Sequence, residues 1–423
     1  MDIQTLHALF LSHSTVITDS RKVSAGGIFF ALKGDNFNGN QFAVASIEQG
    51  ASYAIVDEVI DHPKCIQVED VLQTLQDLAH FHRVYLGLPI IAITGSNGKT
   101  TTKELAHAVL GQKFKTIATR GNLNNHIGVP LTLLSMDSST EMGIVEMGAN
   151  HLGEITALAA IAAPDYGYIT NFGKAHLEGF GSIAGVIKGK SELYDYLKTN
   201  EKIIFQNVND PLQHEILEAY PHTYTFGKSG TVDCSIFPHE RQMVCVEYDH
   251  TQIQSQLIGA YNFNNIAAAI AIGSYFGVAT PEIVTAIETY IPQNNRSQII
   301  QSGTNTIILD AYNANPTSML AALDNLSQTD RKNKVVILGD MLELGTSSAK
   351  EHQDIAHRVE SMDLISAYLV GPKFSQTATE RAIRFNSIEE LRVQLETKPL
   401  DEAYVLIKGS RGMALEQLLS SIV

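Results

Sequence analysis

Short, continuous apolar runs alternate along the chain with stretches whose apolar residues recur every three or four positions. Runs of the first kind read as buried parallel strands and stretches of the second kind as amphipathic helices, so the rhythm predicts α/β layers. Near the start, the runs Ile28 to Leu32 and Ala54 to Val56 sit between Gly and Asn clusters and outline a small α/β module. Apolar residues at Val71, Leu72, Leu75, Leu78, Ala79 and Val84 predict a helix from Val71 to Leu86, and Gly87 and Pro89 mark a boundary behind it. A second segment opens on Ile90 to Ile93, passes through a glycine-rich turn into a helix from Lys103 to Leu110, and continues with runs at Ile144-Val145, Tyr168-Ile169 and Ile203 to Phe205. That alternation predicts a doubly wound parallel sheet. Ala260 to Gly277 reads as a long Ala-rich helix, and Pro292 to Asn295 as a second linker. The third segment repeats the rhythm with strand candidates Thr306 to Leu309, Lys334 to Leu338, Ala367 to Val370 and Ala403 to Ile407. Pro316 at a helix start and Gly339 at a strand end fit such a layer. The expected organisation is three α/β domains over 1–86, 87–294 and 295–423.

Composition narrows the class. With 44% hydrophobic and 18% charged residues, the 423-residue chain has enough apolar material for packed cores, which excludes wholesale disorder. The 30 basic and 45 acidic residues give a net charge of −15, which argues against a nucleic-acid or anionic-membrane partner but leaves room for a local basic cleft. Cys65, Cys234 and Cys245 are odd in number and lack CxxC spacing, so neither a disulfide framework nor a zinc cluster is encoded. No basic region precedes the short run Leu6 to Leu11, and Ile266 to Ala279 is broken by Gly273 and Ser274. The expectation is therefore a cytoplasmic protein with no signal peptide and no membrane insertion, since a span needs roughly 18–20 apolar residues.

Candidate chemistry begins at Thr94-Gly95-Ser96-Asn97-Gly98-Lys99-Thr100-Thr101, between the first strand and the first helix of the second segment. Glycines there let backbone N–H groups approach phosphate oxygens, the helix N-terminus adds partial positive charge, Lys99 adds a full one, and Thr100 offers a hydroxyl to Mg²⁺. The usual phosphate-loop pattern has glycine five positions before the Gly-Lys pair; here that position is Ile93 and the first glycine is Gly95. A nucleoside triphosphate site follows, but kinases, switches and ligases all use one. Glu146 closes the strand candidate Gly143 to Glu146, where a carboxylate can hold a cation or its water. His176 follows the next strand in a loop, and Lys190 lies on a helical stretch; by spacing alone they read as a surface histidine and a solvated lysine.

Taken in order, these motifs resemble those of the Mur ligases of peptidoglycan synthesis, from Thr18-Asp19-Ser20-Arg21 to Lys408-Gly409-Ser410-Arg411. TGSNGKTT and the later Glu, His, Lys series are shared with all members and with folylpolyglutamate synthases. The stretches Gly121 to Leu134, Glu146 to Ile155, Ala175 to Ser182, Asp310 to Met319 and Leu338 to Gly345 look like the D-alanyl-D-alanine-adding branch. The Asp-Asn-Pro-Arg motif expected of the diaminopimelate-adding branch does not occur in the last segment. The resemblance implies a nucleotide-sugar-binding N-terminal domain, a central phosphate-loop ATPase domain and a C-terminal Rossmann-like domain that binds D-Ala-D-Ala. It implies ATP-dependent joining of D-Ala-D-Ala to the terminal carboxylate of UDP-N-acetylmuramoyl-tripeptide through an acyl phosphate, by a monomer whose partners are these small molecules.

The same resemblance implies residue roles. Gly95, Ser96, Asn97, Gly98, Lys99, Thr100 and Thr101 would bind ATP, with Asn262 and Asn265 beside the adenine and Asp310, Tyr312, Asn313 and Asn315 facing ATP from the last domain. Thr100 and Glu146 would hold one Mg²⁺, and His176 with a carbamylated Lys190 a second. Arg296 would reach the γ-phosphate, so Lys99, His176, Lys190 and Arg296 form the expected catalytic set. Ser20, Arg21, Lys33, Gly34 and Phe37, with Asn122, Asn124 and Asn125, would bind the UDP substrate. Two positions depart from the family pattern: Asn38-Gly39-Asn40 replaces Asp-Gly-His in the uridine pocket, and Asn295-Arg296 replaces the interdomain Gly-Arg pair, which changes backbone freedom. The open alternatives are a sibling amino-acid ligase, a folylpolyglutamate synthase-like ligase, or a nucleotide-binding relative that does not turn over.

Overall fold

Three helix-clad sheets succeed one another along the described residues, and a two-stranded antiparallel ribbon, Lys33–Gly34 with Phe37–Asn38, joins the first of them. The computed structural model describes residues 1–237, 243–293 and 295–422; the expected domain limits at 294 and 423 lie outside the described residues. In the first unit, strands Val16–Ile17, Ile28–Phe30, Tyr53–Val56 and Cys65–Gln67 pair in parallel in that order. Successive side chains alternate between faces, so Ile28 and Phe30 pack with Leu6 and Phe10 of helix Ile3–His13, while Phe29 packs with Ala43 and Ile47 of helix Ala43–Glu48. Helix Val71–Leu86 has the predicted bounds. Asp70 caps its N-terminus by accepting from the Gln73 N–H, and Gly87 ends it in the left-handed conformation.

The second unit is a nine-stranded sheet. From one edge it runs Thr116–Ala118, Met142–Glu146, Ile90–Thr94, Tyr166–Ile169, Ile203–Asn207, Thr223–Gly227 and Val232–Phe237, all parallel. Strands Met243–Tyr248 and Thr251–Ile258 then add antiparallel. The expected parallel sheet is thus a mixed one. The reason is local: Thr251–Ile258 alternates buried and accessible positions, the signature of a strand half covered, which antiparallel edges tolerate. Helices Lys99–Leu110 and Phe263–Tyr275 cover one face, and Ile183–Thr199 and Glu154–Ala162 the other. Two helix bounds differ from expectation. The phosphate-loop helix begins at Lys99 because Gly98, left-handed, ends the turn just before it. The Ala-rich helix is shorter than predicted, with a 3₁₀ turn over Ala260–Asn262 and the α-helix ending at Tyr275.

The third unit orders its strands Gln298–Ser302, Asn305–Asp310, Tyr404–Lys408, Lys334–Gly339, Ser366–Val370 and Ile383–Phe385. Only the first, which sequence reading did not anticipate, is antiparallel to its neighbour. Pro316 occupies the first position of helix Pro316–Gln328, capped by Asn315, as its fixed φ favours. Helix Ser348–Glu360 packs on the same face. No helix among the described residues is long and apolar enough to cross a membrane.

Candidate functional site

A cavity of about 670 Å³ opens between the second and third units, lined by the phosphate loop on one wall and by Arg296, Asp310 and Asn313 on the other. The phosphate loop forms because strand Ile90–Thr94 must turn within four residues into helix Lys99–Leu110. Gly95 has φ of 136°, and a Cβ there would lie 2.0 Å from Thr170 Oγ1; Gly98 has φ of 81°, and a Cβ would lie 2.4 Å from Asn265 Oδ1. Both positions therefore demand glycine. Ile93 stays inside the strand, fully buried, so this loop starts later than the general pattern. Lys99 Nζ donates to the carbonyls of Gly95 (2.7 Å) and Ser96 (3.3 Å), folded back over the loop whose phosphate it would otherwise meet. Burial pushes its pKa down, and Arg296 across the cavity adds to the shift against the pull of Glu146.

Behind the loop, Glu146 is 1% exposed and accepts one hydrogen bond on each carboxylate oxygen. Thr100 Oγ1 donates to its Oε2 at 3.0 Å, Asn124 Nδ2 to its Oε1 at 2.8 Å, and Lys103 Nζ stands 3.7 Å from Oε2. Thr119 Oγ1 accepts the Glu146 backbone N–H and fixes the strand end. A hydroxyl and a carboxylate in contact, open to a cavity, are hard oxygen donors of the kind Mg²⁺ takes, with water and phosphate oxygens completing its shell. Among the described residues no three His, Cys, Asp or Glu side chains converge as a self-sufficient metal cage.

His176 and Lys190 are placed differently. His176 lines the cavity with a left-handed φ of 51°, its Nδ1 2.5 Å from Glu343 Oε2, an ion-pair distance without hydrogen-bond alignment. The His176 ring in turn holds the Glu343 carboxyl below its usual range. Lys190 is 1% exposed and sits behind the wall, with Nζ donating to the carbonyl of Ala149 (2.9 Å) and lying 5.1 Å from the centre of the Phe180 ring. Burial, reinforced by the positive Lys99, drives the Lys190 pKa well below the ordinary lysine value. In this arrangement the two residues do not share a ligand position. The neutral amine that burial favours is nonetheless the form that reacts with CO₂, so the residues fit a second cation only after that modification.

The remaining candidates divide by location. Asn262 and Asn265 line the cavity and tie its floor together: Asn265 Nδ2 donates to Asn262 Oδ1 (2.8 Å), and Thr102 Oγ1 to Asn265 Oδ1 (3.0 Å). On the opposite wall Asp310 accepts from the Ser297 N–H (3.2 Å) and Lys408 Nζ (2.5 Å), while Asn315 Nδ2 donates to Asn97 Oδ1 (2.7 Å) across the cleft. Asn313 accepts the Ala314 N–H on its own side chain. Ser96 Oγ donates to the Gly173 carbonyl, and Thr101 lines the same wall. The Arg296 guanidinium stacks 3.6 Å from the Tyr312 ring centre, with a buried, unpartnered Nε. Asn295 takes φ of 56°, so asparagine supplies the left-handed turn at the position where the resemblance would put glycine.

Asn122, Asn124 and Asn125, expected in UDP-substrate binding, line this same cavity, and Asn125 caps the following turn by accepting from Ile127 and Gly128. Ser20, Arg21, Lys33, Gly34 and Phe37 do not line it; they lie on the first unit. There Arg21 pairs with Asp19 and holds its carboxyl down to about 2, Lys33 pairs with Asp57 and Glu58, and exposed Phe37 stacks on Phe42 at 5.3 Å. The departing residues are engaged too, Asn38 with Glu58 and Asn40 with Asp57. Sequence reading missed Lys103, Glu343 and Glu351. Lys103 stands one helical turn after Lys99, a spacing that puts both on one face, but the two glutamates are brought in only by tertiary structure.

The family described as Mur ligase middle domain matches residues 93–273, Mur ligase glutamate ligase domain matches 295–411, and Mur ligase family catalytic domain matches 13–83. The chain is 34% identical over 430 residues to the UDP-N-acetylmuramoyl-tripeptide–D-alanyl-D-alanine ligase of Bacillus subtilis, covering 96% of this chain and 93% of the relative. Its fold resembles a crystal structure of MurF from Acinetobacter baumannii (TM-score 0.87, 32% identity, 96% and 92% covered). It also resembles MurF ligase from Thermotoga maritima in complex with ADP (TM-score 0.87, 26% identity, 97% of each covered).

Proposed function

The chain belongs to the Mur ligase family, and from that premise we infer that it joins D-alanyl-D-alanine to UDP-N-acetylmuramoyl-tripeptide at the expense of ATP. The observation that carries the reading is one cavity whose phosphate loop faces Arg296, Asp310 and Asn315 of the third unit, so a nucleotide on one wall meets the amine's domain on the other. The terminal carboxylate of the tripeptide attacks the γ-phosphorus, giving an acyl phosphate and ADP. The amine of D-Ala-D-Ala then attacks that carbonyl carbon, phosphate leaves with the oxygen that was transferred, and the amine proton passes to solvent or a nearby base.

Both steps gather anions, so the protein's part is charge and placement. Lys99 leaves the Gly95 and Ser96 carbonyls to meet the β- and γ-phosphates. Arg296, held flat by Tyr312 on the cavity wall, would bring its guanidinium to the transferring group. Asn262 and Asn265 take the adenine side, and Asp310, Asn313 and Asn315 complete the enclosure. Thr100 and Glu146 would hold one Mg²⁺, and His176 with Lys190 as its carbamate a second. When bound, these ions neutralise phosphate charge. The carbamate forms as neutral amine plus CO₂ gives the anion and one proton. Asn122, Asn124 and Asn125 steer the tripeptide end toward ATP, and Ser20, Arg21, Lys33, Gly34 and Phe37 hold the nucleotide-sugar end on the first unit. The test is isotopic: with ¹⁸O in the tripeptide's terminal carboxylate, one ¹⁸O should appear in the released phosphate, and unlabelled phosphate would exclude the acyl-phosphate route.

A further inference from the structure

Between strand Tyr166–Ile169 and helix Ile183–Thr199, the segment over 171–178, a loop that runs into the short helix Leu177–Phe180, reaches the cavity with Asn171 and His176. Toward its own unit it is bonded to the phosphate loop. Ser96 Oγ donates to the Gly173 carbonyl (2.8 Å), the Asn97 N–H to Asn171 Oδ1 (3.1 Å), and Asn171 Nδ2 to the Asn97 carbonyl (3.0 Å). Toward the third unit it reaches three separate segments. The Lys174 N–H donates to Thr317 Oγ1 (3.0 Å) at the start of helix Pro316–Gln328, and the Glu178 N–H to the Glu343 carbonyl (3.2 Å). Lys174 Nζ donates to Glu351 Oε1 (2.7 Å) in the first turn of helix Ser348–Glu360.

We propose that this loop is a clasp that sets the third unit on the phosphate loop, with Lys174 and Glu351 as its charged latch and as positioning residues for the ligation. The Glu351 side chain is only 9% exposed while that of Lys174 is 38% exposed, so the carboxylate has given up water for one cation, and opening the pair leaves it poorly solvated. Lys174 is the one cation paired with Glu351 among the described residues. Neither residue lines the cavity, yet two residues on from Lys174 the same segment brings His176 to the cavity wall. With the latch shut, Asn315 reaches Asn97 and Glu343 reaches His176. Glu351 thereby acts through Lys174 on where the amine-binding unit stands relative to ATP. The kinetic part of this proposal rests on the ligase reading; the structural part does not.

The experiment is a charge swap in the full chain: Lys174→Glu, Glu351→Lys and the double variant, with Lys174→Arg as the conservative one. Hydrogen exchange of the 171–178 segment, without any substrate, reports the latch, because the Lys174 and Glu178 amides are bonded across the cleft. Each single reversal should speed that exchange about tenfold or more, and the double swap should return it to within about threefold of the original. ADP release should follow the same pattern in kcat, about tenfold down and then restored, with KM for the UDP-tripeptide unchanged within about twofold and Lys174→Arg close to the original. Exchange that is the same in all variants, or a double variant that adds the two losses instead of cancelling them, would overturn the clasp. If no variant, nor the unsubstituted chain, released ADP, the ligase reading would fall while exchange still decided the latch.

Discussion

Arg296→Ala tests how the cavity handles charge. Its guanidinium is stacked on Tyr312, with Arg411 5.6 Å from the same ring, and its Nε is buried without a partner. A guanidinium held by stacking on the wall of the cavity that the phosphate loop also lines is preorganised: it would pay no reorganisation as negative charge builds on transferring phosphoryl oxygens. Removing one such donor from an enclosed site costs on the order of 10²–10³ in kcat, about 2.7–4 kcal/mol, with arginines on phosphoryl groups at or above the upper end. The loss does not come through Lys99. Arg296 lowers the Lys99 pKa, so its removal makes Lys99 more firmly charged, which alone would help bind phosphate. Arg296→Lys keeps the charge but loses the planar stack and fork, and should fall between, about tenfold down. Lost stacking is worth about 0.5–2 kcal/mol, so a melting temperature lowered by a few degrees is expected, with no loss of fold. The assay is steady-state ADP release with ATP and UDP-tripeptide varied separately. Normal kcat with a raised KM for the UDP-tripeptide would refute the argument.

Three further outcomes follow from the same geometry. Lys99→Ala should abolish turnover, by roughly 10³ or more, with an unchanged circular dichroism spectrum; near-normal activity would sink the phosphate-loop assignment. Lys190→Ala should be nearly inactive and partly rescued by acetate, a carboxylate small enough to stand where the carbamate would be. Full activity of that variant in CO₂-depleted buffer would remove both the modification and its metal role. His7 Nε2 and His82 Nδ1 are 3.0 Å apart in the interior, with His82 Nε2 on the Met136 carbonyl (2.9 Å). Burial lowers both pKa values, with the charge of His82 adding to the shift at His7. The unfolded chain therefore binds protons first, near pH 6.5, so stability is full above that pH and declines as pH falls toward the depressed folded values, at about 1.4 kcal/mol per unit of depression. His7→Gln should flatten the fall in melting temperature between pH 7 and 5, and parallel curves for the two proteins would contradict it.

What the sequence discloses follows the range of the interactions. Helix Val71–Leu86 is legible to the residue because Asp70 and Gly87 punctuate it locally, and strand Ile90–Thr94 because full burial makes it a continuous apolar run. The strands from Val232 to Ile258 escape notice because each is half covered, so their apolar residues are diluted by accessible ones. In the site, Gly95 to Thr101 is legible because a strand, a turn and a helix start are contiguous. Pairs such as Asn97 with Asn315, His176 with Glu343 and Lys174 with Glu351 join residues far apart in the chain, and no local pattern marks the pairing even where one partner sits in a visible motif. Asn124 shows the intermediate case: its motif is visible, but only the fold reveals that it grips Glu146.

A ligase of this family couples ATP cleavage to joining a dipeptide amine to a nucleotide-linked tripeptide. The most direct measurement is ADP release by the purified chain with ATP, Mg²⁺ and UDP-N-acetylmuramoyl-tripeptide, comparing D-Ala-D-Ala with single amino acids and with glutamate on a folate acceptor. ADP, phosphate and UDP-N-acetylmuramoyl-pentapeptide should form in equal amounts with D-Ala-D-Ala, with negligible release for the others. Faster turnover with a single amino acid or with the folate acceptor, or no ADP with any of them, would contradict that expectation.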